Sequence, residues 1–110
     1  MKKIDFKKDK YRKARGGYSR FLNVSCSECG NFLLLYQKDG PGILKRMYMD
    51  RIFEPEKLVG FQLMEISEVP NLVCGKCGLL IGTPYIYEKE NRKAFLLRQG
   101  SFSKKITKKK

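Results

Sequence analysis

The sequence predicts a small, mostly β domain, and three observations support this prediction. The chain has 110 residues, which fits one domain. Its apolar residues occur in short runs that are separated by turn-forming Gly, Pro, Asn and Asp residues. Two Cys-x-x-Cys-Gly motifs, at residues 26–30 and 74–78, each lie between two such runs. We therefore expect each motif at the tip of a β-hairpin.

The strands of the first half are predicted from these apolar runs. Phe21 to Ser25 is expected to be a short strand that enters the first motif, and Phe32 to Gln37 a buried strand. Asp39 to Gly42 (DGPG) is a strong turn signal. After so tight a turn, Ile43 to Phe53 is expected to form a strand that pairs back on residues 32–37. Its apolar positions fit a helix about as well.

The second half is predicted to hold one helical turn and several short strands. Glu54 to Leu63 allows a single helical turn that begins at Pro55, and Phe61 to Ile66 is expected to be a strand. The remaining expected elements are strands at Asn71 to Val73, Leu79 to Ile81 with its continuation Tyr85 to Tyr87, Ala94 to Leu97 and Phe102 to Ile106, and a polar turn at Glu88 to Lys93.

The four cysteines, Cys26, Cys29, Cys74 and Cys77, are predicted to bind one metal ion. Two residues between the thiols of each pair let both sulfurs reach one ion from a tight turn, and the following glycine suits a left-handed backbone. The amide of that glycine is expected to point at a thiolate. Two disulfides or two redox motifs are the alternatives. The secretory context and the βαβ pattern that these would need are missing from the sequence.

These motifs resemble the knuckles of the zinc-ribbon superfamily, over residues 24–32 and 72–82. The resemblance implies a zinc ribbon built from β-hairpins, with an inserted segment between its two knuckles. It also implies one structural Zn²⁺ in a closed site of four thiolates, which stabilises the fold and leaves no position for a substrate. Rubredoxins have similar knuckles that hold iron, so an iron centre is the alternative. Rubredoxins are typically acidic, and this chain is basic.

Catalysis is not predicted. The chain contains no histidine, the commonest general base. It contains no G-x-x-x-x-G-K-[ST] phosphate loop, and its carboxylates are scattered along the sequence. We therefore expect a protein that is not an enzyme.

The net charge of +13 is concentrated at the two ends of the chain. Residues 1–20 carry nine Lys/Arg and two acidic residues, residues 98–110 carry six Lys/Arg and no acidic residue, and residues 21–97 sum to zero. Few aliphatic residues accompany the charges of the first segment. The expected division is a flexible basic arm at 1–20, a zinc-ribbon domain at 21–103 and a basic tail at 104–110.

The basic ends favour a nucleic-acid partner. Cations neutralise phosphates, and the aromatic rings among them can stack on unpaired bases. RNA is preferred to DNA because nothing in the sequence resembles a recognition helix for the major groove. The candidate nucleic-acid-binding residues are Lys7, Lys8, Lys10, Tyr11, Arg12, Lys13, Arg15, Tyr18, Arg20, Lys104, Lys105, Lys108, Lys109 and Lys110.

A compact zinc module with basic extensions resembles small ribosome-associated zinc-ribbon proteins. The resemblance implies a cytoplasmic protein that binds RNA, ribosomal RNA first, in a ribosome or another ribonucleoprotein. Protein neighbours in the same particle are then expected, and a membrane partner is not. The alternatives are a docking module of the transcription machinery, a rubredoxin-like electron carrier, or basic ends that only keep a small domain soluble.

Overall fold

The structure, a computed structural model, describes residues 19–40 and 42–107. Eight strands lie in these ranges, and they confirm the predicted mostly β fold class. They are β1 (Ser19–Cys26), β2 (Phe32–Asp39), β3 (Arg46–Tyr48), β4 (Ile52–Glu54), β5 (Leu72–Val73), β6 (Leu80–Tyr87), β7 (Arg92–Leu97) and β8 (Phe102–Thr107).

The strands form two four-stranded antiparallel sheets. Sheet A has the strand order β4-β2-β1-β8, and sheet B has the order β3-β7-β6-β5. The first Cys-x-x-Cys motif connects β1 to β2, which pair with each other, and the second connects β5 to β6, which also pair. Each motif therefore lies at the end of a hairpin, as expected, and the two hairpins belong to different sheets.

The hydrophobic core lies between the two sheets and takes side chains from both. Val24 and Leu34 of sheet A and Ile81 and Phe95 of sheet B are fully buried and belong to one cluster. Phe61 covers this cluster, and its ring meets that of Phe95 edge-on at 6.2 Å between centroids. One core thus serves both sheets.

The segment Ile43 to Phe53 does not form the single strand that was predicted. Its β3 part pairs with β7 in sheet B, and only β4 pairs with β2 in sheet A. A short 3-10 turn at Met49–Arg51 carries the chain from one sheet to the other. The predicted turn at Asp39 to Gly42 is followed by residues 43–45, which are not strand and which carry the chain across to β7 instead of back along β2.

The segment after β4 is helical, including part of the stretch that was predicted to be a strand. The helix α1 (Glu56–Val59) follows Pro55, as predicted, and continues into a 3-10 turn at Gly60–Leu63. The predicted strand at Phe61 to Ile66 is therefore wrong. Its apolar side chains do not share one face, because Phe61 enters the core and Leu63 remains 87% exposed.

Three boundaries also differ from the prediction. Ser19 and Arg20 belong to β1, and residues 104–107 belong to β8, so neither stretch is part of a flexible terminus. Arg92 and Lys93 belong to β7, which shortens the predicted polar turn. The rest of the predicted arm, residues 1–18, and of the predicted tail, residues 108–110, lies outside the described residues.

A buried ion pair holds the open end of the β1–β2 hairpin. Arg51 is 1% exposed, and its Nε donates to Oδ2 of Asp39 at 2.9 Å. The other carboxylate oxygen of Asp39 accepts from the Ser19 hydroxyl at 2.7 Å and from the Gln37 side chain at 2.8 Å. A buried charge is tolerated only when it is paired in this way, so the network fixes how β1, β2 and the following 3-10 turn meet.

No helix in the described ranges is long and apolar enough to cross a membrane.

Candidate metal centre

The two hairpin ends bring the four cysteine sulfurs to one place. All four sulfurs lie within 4.8 Å of one another. The Cys26 and Cys77 sulfurs are 3.6 Å apart, and those of Cys29 and Cys74 are 3.5 Å apart. Zinc held at about 2.3 Å from four sulfurs in a tetrahedron sets their separation near 3.8 Å. The four cysteines therefore lie close enough to hold one metal ion.

The sulfurs do not form disulfides in the structure. All four cysteines are free, and the short contacts are far above the roughly 2.05 Å of an S–S bond. The shortest contacts also join cysteines of different motifs. The geometry thus favours a shared ion over the two disulfides considered from the sequence.

The first knuckle is a tight turn closed by two backbone hydrogen bonds. The Gly30 N–H donates to the carbonyl of Cys26 at 2.9 Å, and the Cys26 N–H donates to the carbonyl of Asn31 at 2.9 Å. Gly30 has a φ of 76°. Nothing lies within 4 Å of where its Cβ would be, so the left-handed backbone alone requires glycine there.

The second knuckle repeats this pattern residue for residue. The Gly78 N–H donates to the carbonyl of Cys74 at 2.8 Å, the Cys74 N–H donates to the carbonyl of Leu79 at 2.9 Å, and Gly78 has a φ of 79°. The left-handed glycines predicted from the sequence are thus confirmed. The two knuckles present equivalent halves of one site.

The glycine amides do not point at the thiolates, which corrects the expectation from the sequence. Each is engaged by the carbonyl of the first cysteine of its own knuckle. The amides that face sulfur include those one residue later, of Asn31 toward Cys29 and of Leu79 toward Cys77. In the second motif the amides of Lys76 and Cys77 also face the sulfur of Cys74. In each tight turn, the glycine N–H closes the turn by bonding a carbonyl, and the N–H of the next residue faces a cysteine sulfur.

Asn31 adds a side-chain contact that the sequence did not predict. Its Nδ2 lies 3.8 Å from the sulfur of Cys74, so it donates from the first knuckle to a ligand of the second. The corresponding residue of the second knuckle is Leu79, whose side chain has no donor. The sequence signal was that Asn31 follows the glycine of the first motif, whereas Leu79 follows the glycine of the second.

Without a metal ion, the thiols cannot all be ionised at neutral pH. The N–H groups of Cys77 and Lys76 lower the pKa of the Cys74 thiol to about 6. The Leu79 N–H lowers the pKa of Cys77, but partial desolvation and the three neighbouring thiols outweigh it and raise that pKa to about 12. The pKa of Cys29 is raised as well, because burial and the Cys74 thiol outweigh the Asn31 N–H. A bound cation would remove this mutual repulsion.

One ligand of each knuckle is buried and the other is exposed. Cys26 and Cys74 are each 1% exposed and belong to the core cluster, and Cys29 and Cys77 face solvent. An ion can therefore enter from the surface and bind directly beside the core. With four thiolates bound, no coordination position would remain for water or substrate.

The structure also gathers three of the predicted nucleic-acid-binding residues. Arg20 of β1 and Lys104 and Lys105 of β8 line one groove of about 480 Å³, whose lining also includes Lys38 of β2. Lys38 was not predicted, because only the register shows that it lies opposite Arg20. The other candidates lie outside the described residues and are Lys7, Lys8, Lys10, Tyr11, Arg12, Lys13, Arg15, Tyr18, Lys108, Lys109 and Lys110.

Comparison with known protein families, with curated proteins and with solved structures found no match to this chain. The functional interpretation therefore comes from the chemistry of the cysteine site and of the surfaces around it.

Replacing one ligand should abolish the fold. A structural zinc site contributes on the order of 10 kcal/mol, about the whole stability of a small domain. We expect Cys74→Ser to lose native amide dispersion in an NMR spectrum, and Lys76→Ser, an exposed change in the same knuckle, to keep it. Native dispersion in Cys74→Ser would contradict a structural role for the metal.

Metal affinity should rise with pH. Cys29 and Cys77 have raised pKa values and must release their protons when the ion binds, so protons compete with the metal as the pH falls. We expect the logarithm of the zinc affinity to rise by roughly two or more per pH unit between about pH 6.5 and 8. Competition with a chelator of known affinity measures this slope. A slope below about one would show that the thiols are already ionised.

Proposed function

We propose that this chain is a structural-zinc RNA-binding protein of the zinc-ribbon type. In this proposal it is cytoplasmic and belongs to the ribosome or another ribonucleoprotein. The cysteine cluster supports the metal part of the proposal, and the basic groove carries the RNA part. Each part has its own test, because a metal site does not imply an RNA partner.

Zinc is proposed because four thiolates in a closed set suit an ion that only holds structure. The sulfur separations of 3.5 and 3.6 Å agree with a tetrahedral site. Iron in the same ligands would give a rubredoxin-like electron carrier. A chain with a net charge of +13 differs strongly from that acidic class. The absence of histidine and the closed ligand set also favour a protein that is not an enzyme.

The RNA part depends chiefly on the groove between β1, β2 and β8. Its lining holds four cations, Arg20, Lys38, Lys104 and Lys105, and none of the described residues that line it is acidic. Arg20 and Lys38 lie directly opposite each other in the sheet, so two like charges that repel each other share this side of the groove. A polyanion such as the RNA backbone would offset this repulsion, since cations bind phosphates and release their counterions.

RNA is preferred to DNA because the described part of the chain offers no helix for the major groove. Its α-helix, α1, has four residues, whereas recognition helices that enter the major groove run over several turns. Strands and cationic side chains remain as the binding elements. These suit the phosphates and unpaired bases of folded RNA.

Protein docking is the second candidate, because an apolar groove lies beside the knuckles. Phe32 and Val73 are 46% and 47% exposed there, and they line a cavity of about 370 Å³ together with Leu58 and Phe61. This surface suits the docking module of the transcription machinery that was considered from the sequence. A partner that stays bound after nuclease treatment would distinguish docking from RNA binding.

The identity of the metal decides between zinc and iron. We expect the purified protein to be colourless and to contain one zinc ion per chain by elemental analysis, because a closed four-thiolate site is typical of structural zinc. A red protein with stoichiometric iron would replace the zinc assignment with an electron-transfer centre.

The groove should contribute to the salt dependence of RNA binding. We expect the double change of Lys104 and Lys105 to Gln to weaken RNA binding and to flatten its salt dependence. The slope falls by roughly 0.7 for each phosphate that the variant no longer neutralises, or about 1.4 for both. Fluorescence anisotropy with a labelled RNA at several salt concentrations measures the slope. Changing Lys57 and Lys76 to Gln is the matched control, because both are exposed away from the groove. An equal slope in the wild type and the groove variant would exclude the groove.

A further inference from the structure

We propose that Arg46, Tyr85 and Tyr87 form a stacking site for unpaired RNA bases on the outer face of sheet B. The inference rests on the proposed RNA-binding function and adds a second contact region to it. None of these residues was a candidate in the sequence analysis, because they come from distant parts of the chain.

The three side chains are arranged as one layer. Tyr85 and Tyr87 are two residues apart on β6, so they point to the same face of the sheet. Arg46 of β3 reaches across to both, since its Nε donates to the Tyr85 hydroxyl at 2.9 Å and its guanidinium lies 4.1 Å from the centre of the Tyr87 ring. This holds the guanidinium plane in a fixed position without covering it completely, because Arg46 is only half-buried.

The layer faces away from the core. Met47, the residue next to Arg46 on β3, points to the opposite face and is fully buried in the core cluster. On the face of Arg46 itself, Tyr48 is buried beside the layer. Arg46 lies opposite Leu96 of β7, whose side chain points to the same face and is 49% exposed. A ligand can therefore approach this face from solvent.

A second arginine on the same face also lies over a tyrosine ring, but its charge is neutralised by carboxylates. Arg92 lies 3.7 Å from the centre of the Tyr48 ring and is 4% exposed. Its guanidinium is paired with Asp50 at 2.6 Å and Glu90 at 3.1 Å. In the described part of the chain Arg46 forms no such ion pair, and its hydrogen bonds go to the tyrosines Tyr85 and Tyr48. Its charge is therefore not neutralised by a carboxylate there, and the face of the guanidinium turned away from the Tyr87 ring can meet a ligand.

A chain of cations connects this layer to the basic groove. A cavity of about 230 Å³ beside Arg46 is lined by Lys45 and also by Lys38, which lines the groove as well. Asp39 is the acidic residue in that lining, and its carboxylate is held by Arg51 at 2.9 Å. An RNA strand bound in the groove could thus extend past Lys38 and Lys45, with its phosphates near these lysines and one of its bases stacked on Arg46.

The expected ligand is single-stranded RNA. Bases of a duplex are stacked on one another, whereas an unpaired base can stack on a guanidinium plane or an aromatic ring. Such stacking accepts every base, because each has a π face. Recognition at this layer is therefore expected to distinguish single strands from duplexes, with little preference for sequence.

The test compares two probes of equal charge, a uridine oligonucleotide of about twelve nucleotides and its abasic counterpart with the same phosphates. We expect the wild type to bind the uridine probe more tightly. Tyr87→Ala should weaken binding of that probe by roughly 5- to 100-fold, change binding of the abasic probe little and leave the salt slope unchanged. Tyr87→Phe is the matched control, because it keeps the ring and should bind as the wild type does. Metal content and amide dispersion verify that each variant is folded.

The outcomes separate this inference from the proposed function. Equal affinity of the wild type for both probes would overturn the stacking site and leave RNA binding intact. Failure to bind either probe would overturn RNA binding itself. If Tyr87→Ala does not fold, photocrosslinking of the wild type to a 4-thiouridine probe replaces it. Crosslinks to peptides that contain Arg46, Tyr85 or Tyr87 support the stacking site, and crosslinks confined to other peptides refute it.

Discussion

Two hairpin ends from different sheets meet at four sulfur atoms, and the rest of the domain depends on that meeting. Cys26 ends β1 of sheet A, and Cys74 directly follows β5 of sheet B. Both are buried in the core that the sheets share. Thiolates held this close repel one another, so a cation at their centre would bind the sheets together as well as neutralise the charge. A core of this size gains from such a crosslink, because small domains bury a limited apolar area.

The far end of the same hairpin is held by different chemistry. Asp39, opposite Ser19 in the register, accepts hydrogen bonds from three partners, and one of them is the buried Arg51. The β1–β2 hairpin thus has a metal-binding turn at one end and an ion-pair network at the other. Removing either partner of a buried ion pair leaves an uncompensated charge, so this network makes the path of the chain between the sheets specific.

The proposed RNA surface depends on the same strands. The groove cations lie on β1, β2 and β8, and the stacking layer lies on β3 and β6, so both are positioned by rigid sheet and not by loops. Lys38 borders both regions. A metal ion that fixes the two sheets would therefore also fix the distance between the groove cations and the stacking layer. In the proposed function, this links the metal site to RNA binding.

The sequence by itself determined the features that short-range chemistry encodes. The spacing of the cysteines, the left-handed Gly30 and Gly78, and the strands around them follow from local turn and strand preferences, as does the helical turn after Pro55. Only the tertiary structure decided what distant segments share. Residues 43–53 divide between two sheets because β3 pairs with β7 and β4 pairs with β2. Lys38 joins the groove through the strand register, and Arg46 meets Tyr87 from 41 positions away (87 − 46). Pairing across such separations depends on how the sheets pack, which no local pattern in the chain specifies.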